Sequence, residues 1–208
     1  LTVTADNATK VYGTDNPSFT AVISGFVPGE NLSTSGITGL PGSGTTAVAT
    51  SPAGTYPITV SIETLASSNY DFTNFVSRTL TVTKAPLTMT ADNKTREYGR
   101  TNPTLTFTSN GIVNGDDDFD ASPTLSTTAD INSPVGSYPI TISGAVDGNY
   151  SITHTPGTLT ITAVPVSHTL TATLSGPTTA NTGTNVTFTP TIGGNNPDGL
   201  TPTYSRFF

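Results

Sequence analysis

The opening of this chain is written twice. Leu1-Thr-Val-Thr-Ala-Asp-Asn7 returns as Leu87-Thr-Met-Thr-Ala-Asp-Asn93, and Tyr12-Gly13 with Asn16-Pro17 returns as Tyr98-Gly99 with Asn102-Pro103, each position displaced by 86. Later landmarks recur at shrinking displacement: Gly54-Thr-Tyr-Pro-Ile-Thr59 and Gly136-Ser-Tyr-Pro-Ile-Thr141 by 82, Asn69-Tyr70 and Asn149-Tyr150 by 80, Thr79–Thr83 and Thr158–Thr162 by 79. A duplicated chain builds one unit twice, and its function then rests on reach, stiffness or multivalency. The second copy is about seven residues shorter, and part of that loss lies between Pro17 and Gly54, where Gly, Ser and Pro are dense. Length changes of this kind belong in loops on a shared scaffold.

The apolar residues alternate with Thr and Ser, a period-two pattern that predicts strands rather than helices. In the first copy strands are expected over Leu1–Ala5, Thr9–Tyr12, Ser18–Ser24, Thr45–Ala49, Tyr56–Ile62, Tyr70–Val76 and Arg78–Thr83. Pro28–Gly44 reads as an irregular excursion with one helical turn near Glu30. Charged residues are only 10% of the chain, so Thr, Ser and Asn carry the solvent surface. Thr is β-branched and sits well on a pleated sheet. The fold class expected is all-β, as tandem β-sandwich-like (immunoglobulin-like) modules. A β-grasp-like sheet with a short helical turn around Pro28–Thr34 is the alternative.

The division expected is a first β repeat at 1–84, a second at 85–163 and a partial immunoglobulin-like or PKD-like module at 164–208. The junctions Thr83-Lys-Ala-Pro86 and Thr162-Ala-Val-Pro165 leave about three residues before a proline of fixed φ, which predicts a semi-rigid rod. The tail, with strands expected over His168–Leu174 and Asn185–Thr189, is short for an independent β-domain. It is expected to be truncated or completed by strands from elsewhere.

A net charge of −7 with a pI near 4.4 lacks the basic footprint of nucleic-acid binding and does not suit an anionic membrane. There is no cysteine, hence no disulfide framework or thiolate metal site. No secretion signal and no long apolar run is apparent, and the chain opens inside a strand pattern without Met. It reads as a mature piece or a fragment of something longer.

The ordered set Leu-Thr-x-Thr-Ala-Asp-Asn, Tyr-Gly-x-x-Asn-Pro, Gly-x-Tyr-Pro-Ile-Thr, Asn-Tyr and Thr-Leu-Thr-(Val/Ile)-Thr, present twice, resembles the bacterial surface repeat family called MBG, YGX type. The resemblance covers residues 1–83 and 87–162. It implies a tandem β-rich repeat of a large secreted or cell-surface, adhesin-like protein. It brings no catalytic residues.

The densest charge cluster, Asp116-Asp-Asp-Phe-Asp120, makes Asp116, Asp117, Asp118 and Asp120 the candidate Ca²⁺ ligands, since Ca²⁺ takes several hard oxygens. The spacing is not that of an EF-hand, the run is not repeated in the first copy, and a solvated loop is the plainer expectation. Asp6-Asn7 and Asp92-Asn93 are expected to make turns by bonding their own backbone. Tyr12 and Tyr98 are expected to cap the core with the hydroxyl at the rim, the following Gly permitting the turn; a sugar-stacking platform is the sharper alternative, weakened by the absence of Trp. A Lys–Asn isopeptide crosslink is not expected from Lys10, Lys84 or Lys94, because Lys10 aligns with Arg96, Lys94 with Ala8, and Lys84 lies in the linker. His154 and His168 sit in different modules without a nucleophile or metal-ligand spacing. Sequons at Asn7, Asn31, Asn93, Asn149 and Asn185 leave glycosylation open.

No catalytic residue and no cofactor is expected. The chain is read as non-catalytic stalk or spacer repeats of a bacterial extracellular, cell-surface filament or adhesin. Its expected partners are neighbouring repeats. Two alternatives remain: an adhesive module binding host glycans or surface proteins through Pro28–Gly44 or Asp116–Asp120, and a subunit exchanging strands through Val166–Phe208.

Overall fold

A computed structural model describes residues 1–165 and, by backbone pairing alone, residues 171–175 and 189–193. The described residues contain strands and turns and no helix. Contacts divide the chain into a unit Leu1–Thr162 and a unit Ala163–Phe208.

Within the first unit, each copy of the duplicated sequence forms seven strands. In the first copy these are β1 (Thr2–Ala5), β2 (Ala8–Val11), β3 (Ala21–Ser24), β4 (Gly42–Gly44), β5 (Gly54–Ser61), β6 (Asn74–Val76) and β7 (Arg78–Thr83). In the second they are β8 (Ala85–Ala91), β9 (Lys94–Glu97), β10 (Phe107–Asn110), β11 (Thr124–Thr127), β12 (Gly136–Ser143), β13 (Tyr150–Thr155) and β14 (Gly157–Thr162). Each copy makes a three-stranded and a four-stranded sheet, ordered β3-β1-β6 and β2-β7-β5-β4, then β10-β8-β13 and β9-β14-β12-β11. The two topologies are identical. The pairs β1–β6, β2–β7, β8–β13 and β9–β14 are parallel and the others antiparallel.

In each copy the sheets pack face to face, β5 lying over β1 and β6, and β12 over β8 and β13. Alternation buries Val3, Ile58 and Leu80 in the first repeat and Leu87, Met89, Ile140, Leu159 and Ile161 in the second, all essentially without exposed surface, and all but Val3 belong to one core that runs through both repeats. Thr and Ser take the opposite strand faces, as period-two patterning requires.

Asp6-Asn7 lies where the chain leaves the three-stranded sheet for the four-stranded one. The expected turn on the pair's own backbone is not formed; instead the pair stitches separate strands. The Asp6 amide donates to the Thr20 carbonyl at 2.9 Å and its carboxylate accepts the Thr20 hydroxyl at 2.6 Å. The Asn7 side-chain oxygen accepts the Thr79 amide at 3.0 Å, at the head of β7. Asp92 with Thr106, and Asn93 with the Thr158 amide at 2.8 Å, repeat the device. Crossing between sheets leaves the ends of β3 and β7 short of partners, and the two side chains supply them.

The segment Thr45–Ala49, expected as a strand, is a loop, and β4 lies just before it. Its carbonyls are taken by side chains: Ala47 O accepts from Asn16 at 2.6 Å and Val48 O from the Lys10 ammonium at 2.6 Å. Near Glu30 a single turn closes through Ser35 N to Asn31 O at 3.0 Å and goes no further. The shortening of the second copy falls partly between β3 and β4, where segment 25–41 answers to 111–123.

The linker is shorter than expected: Lys84 alone separates β7 from β8, because Ala85 already pairs with Tyr150. The second unit contains the antiparallel pair β15 (Thr171–Ser175) and β16 (Thr189–Gly193). The remaining expectations for the partial module, His168 included, lie outside the described residues.

Candidate functional site

The chemistry of the first unit concentrates where one repeat meets the next. Tyr12 and Gly13 form the turn that follows β2, and the Tyr12 amide is held by the Thr83 carbonyl at 2.8 Å. From there the Tyr12 ring, 5% exposed, meets Tyr150 of the second repeat edge to face, with centroids 5.7 Å apart and planes at 85°. Offset and T-shaped aromatic pairs are the favoured geometry. The two hydroxyls converge on one carboxylate oxygen: Asp116 Oδ2 accepts from Tyr12 at 3.0 Å and from Tyr150 at 2.7 Å. Tyr150 is itself fixed by the Val113 amide, which donates to its hydroxyl oxygen at 3.0 Å. The hydroxyl of Tyr12 is therefore not a solvent-facing rim group, but the centre of a joint between repeats.

Gly13 makes the close approach possible. Its φ is +83°, and a Cβ built on it would lie 2.4 Å from Val113 Cγ2. Around this centre the Asn149 side chain accepts the Ala53 amide of the first repeat at 3.0 Å, and Lys84 Nζ of the linker donates to the Asp147 carbonyl at 3.1 Å. With a one-residue linker, these contacts tie the repeats into one unit.

Burial raises the Tyr150 phenol from its ordinary 10.0 to about 12, the Val113 amide works against the rise, and the Asp116 carboxylate adds to it. The Tyr12 phenol is also raised: a hydrogen bond with Asn114 lowers it, and burial with the Asp116 carboxylate outweighs that. A raised phenol favours the protonated folded state, so this stability is complete below pH 10 and lost as pH climbs towards about 12. The unfolding midpoint is therefore expected to fall through that window more steeply in the native chain than in a Tyr150→Phe variant. Equal slopes in alkaline denaturation would contradict the shared-carboxylate joint.

Among the candidate calcium ligands, Asp116 points into this joint and Asp120 accepts the Gly148 amide at 2.8 Å. Asp117 and Asp118 are exposed. Among the described residues no group of three or more His, Cys, Asp or Glu side chains is arranged to hold a metal. His154 is half-buried on β13 with Nε2 unpartnered. Two shallow surface depressions lie on the first repeat, one beside Gly42, Ser61 and Glu63 and the other beside Leu65, Tyr70 and Phe72.

Sequence reasoning missed a buried cation in each repeat. Lys10, 6% exposed, gives its ammonium to the carbonyls of Thr14 at 3.0 Å and Val48 at 2.6 Å. At the same place in the second repeat Arg96, also 6% exposed, donates to the Asn102 side chain at 2.7 Å, to Glu97 O at 3.1 Å and to Asp130 O. Asn16 and Asn102, the Asn of Tyr-Gly-x-x-Asn-Pro, each clamp a loop carbonyl at 2.6 Å, on Ala47 and Ala129. The Asn16 side-chain oxygen is buried without a partner, where the Asn102 oxygen takes the guanidinium. Lys10→Arg is accordingly expected to raise stability by about 0.5–1.5 kcal/mol, because the orphaned oxygen gains a charged donor. Denaturant unfolding measures it; a loss of stability would show that the first repeat lacks room for the fork.

The sequence pattern of the MBG domain (YGX type) matches residues 1–81 and 87–160. A search of curated proteins gives no match.

Proposed function

Because this chain belongs to the MBG domain (YGX type) family, whose repeats occur in surface proteins, we propose that it is a spacer that sets a distance on a bacterial cell surface. MBG repeats are a non-enzymatic module type. The observation that carries the reading is the joint at Tyr12, Asp116 and Tyr150. Its converging polar groups are spent on one another, and what they achieve is the fixing of one repeat on the next. A spacer needs that property, since a flexible chain transmits neither distance nor force as a fixed length.

Thr-rich strand faces and few charges suit a stretch of surface that engages nothing. A ligand-binding reading would instead place function in Pro28–Gly44 or in Asp116–Asp120, and the second of these is anchored at both ends by structural hydrogen bonds. The test is a glycan array and a pulldown with the full chain. No saturable binding is expected. Binding that is lost when Pro28–Gly44 is replaced by a plain Gly-Ser loop would contradict the spacer role.

A further inference from the structure

The first repeat carries the receiving half of the joint on its other end. Residues displaced by 86 or 80 from the receiving groups of the second repeat are Val27 for Val113, Glu30 for Asp116, Asn69 for Asn149 and Tyr70 for Tyr150. They are already assembled in the same way. The Val27 amide donates to the Tyr70 hydroxyl oxygen at 3.2 Å, against 3.0 Å for Val113 and Tyr150. Tyr70 donates to the Glu30 carboxylate at 2.6 Å, against 2.7 Å for Tyr150 and Asp116. Phe26 braces Tyr70 edge to face at 5.9 Å. Yet Val27 is 52% exposed, and neither Glu30 nor Tyr70 is covered as its counterpart is.

The second repeat builds the inserting half in the same way as the first. Tyr98 is held by the Thr162 carbonyl at 2.8 Å, as Tyr12 is by Thr83, and Gly99 has φ +76° against +83° at Gly13. Tyr98 is 48% exposed, and a Cβ on Gly99 would meet nothing within 4 Å. The receiving half of the first repeat keeps the docked geometry without being docked, which lowers the cost of joining a tip to it.

We propose that the surface formed by Val27, Glu30, Asn69 and Tyr70 receives the Tyr-Gly tip of a further repeat of this same family, joined in line ahead of Leu1. Complementarity fixes the occupant. A phenol completes the hydrogen bonding of Glu30, Val27 needs a residue without Cβ facing it, and Asn69 can take a backbone amide. An isologous contact is excluded by the same features, because the two halves differ. The joint is heterologous, and repeated addition extends an open array rather than closing a dimer.

This inference rests on the spacer reading, and one experiment separates their failures. A copy of residues 87–165 is fused ahead of Leu1 in the full chain, so that Thr162-Ala-Val-Pro165 leads into Leu1 as Thr83-Lys-Ala-Pro86 leads into Leu87. Hydroxyl-radical footprinting then reads the side chains of Tyr12, Val27 and Tyr70, each present once. Relative to the native chain, labelling of Val27 and Tyr70 is expected to fall roughly threefold, as side chains at the centre of a packed interface lose water. Glu30→Ala in the receiver, or Gly99→Val in the added copy, should restore it. Unchanged labelling of Val27 and Tyr70 with Tyr12 still protected overturns this inference alone. Labelling of Tyr12 as strong as that of Tyr98 overturns the spacer reading with it. Protection of Val27 and Tyr70 in the native chain that grows with protein concentration would assign the surface to a second copy, and also overturns the in-line occupant.

Discussion

Tyr12→Ala is expected to destabilise the unit Leu1–Thr162 by about 2–4 kcal/mol, the range of a central aromatic anchor at a packed interface. The ring is buried, and its removal leaves the Tyr150 edge without a partner and deprives Asp116 of one of its two phenols. The shape of the unfolding curve should change as well. With the joint intact, the two repeats unfold together; without it, the transition is expected to separate into two. Tyr98→Ala removes the equivalent tyrosine of the second repeat, where the ring is 48% exposed. It is expected to cost less than about 1 kcal/mol, as an ordinary surface substitution does. Equal losses for the two variants, measured by denaturant unfolding, would mean that Tyr12 stabilises its own repeat rather than the joint.

The second large effect is expected inside one repeat. Arg96→Ala should cost about 2–5 kcal/mol, because it removes a buried side chain and strips the charged donor from the Asn102 side-chain oxygen, which is left unpaired, and from the Asp130 carbonyl, which keeps only the Ser133 amide. Arg96→Lys is expected to be far milder, about 1 kcal/mol. The first repeat shows why: there Lys10 serves the homologous loop with its ammonium and leaves only the Asn16 oxygen orphaned. Thermal unfolding with the two variants side by side checks the order. A lysine variant as damaged as the alanine one would show that the planar fork, not the positive charge, holds the loop.

The duplication and the alternation of Thr with apolar residues were enough to read an all-β chain and to place β1, β5, β7 and their counterparts within a residue or two. Those strands are held by period-two burial, which is a local signal. The errors fall where side chains replace strand partners. Thr45–Ala49 alternates as a strand should, yet its carbonyls are taken by Asn16 and Lys10. Asp6-Asn7 has turn composition, and its oxygens bond across the sheets to Thr20 and Thr79. Both depend on contacts that no window of sequence contains.

The joint was half legible. Tyr-Gly stood out as a repeated pair, and the acidic run at Asp116 drew notice as a calcium candidate because it is the densest charge cluster, although its lack of a repeat spoke against a built site. The useful signal was narrower: an acid recurs at Glu30 and Asp116, displaced by the same 86 as the tyrosines. That Tyr12 would reach across 104 residues to Asp116 follows only from how β2 ends against the next repeat. The exchange of Lys10 for Arg96 was read as a lost lysine, although a cation persists in both repeats.

The central claim is that the Tyr12–Asp116–Tyr150 joint makes the two repeats one rigid body. Residual dipolar couplings of backbone amides in the full chain test it most directly. A single alignment tensor should fit β1 to β7 and β8 to β14 together, and should divide into two in Tyr12→Ala. Two tensors of unequal magnitude in the native chain would show that the repeats swing independently and would contradict the claim.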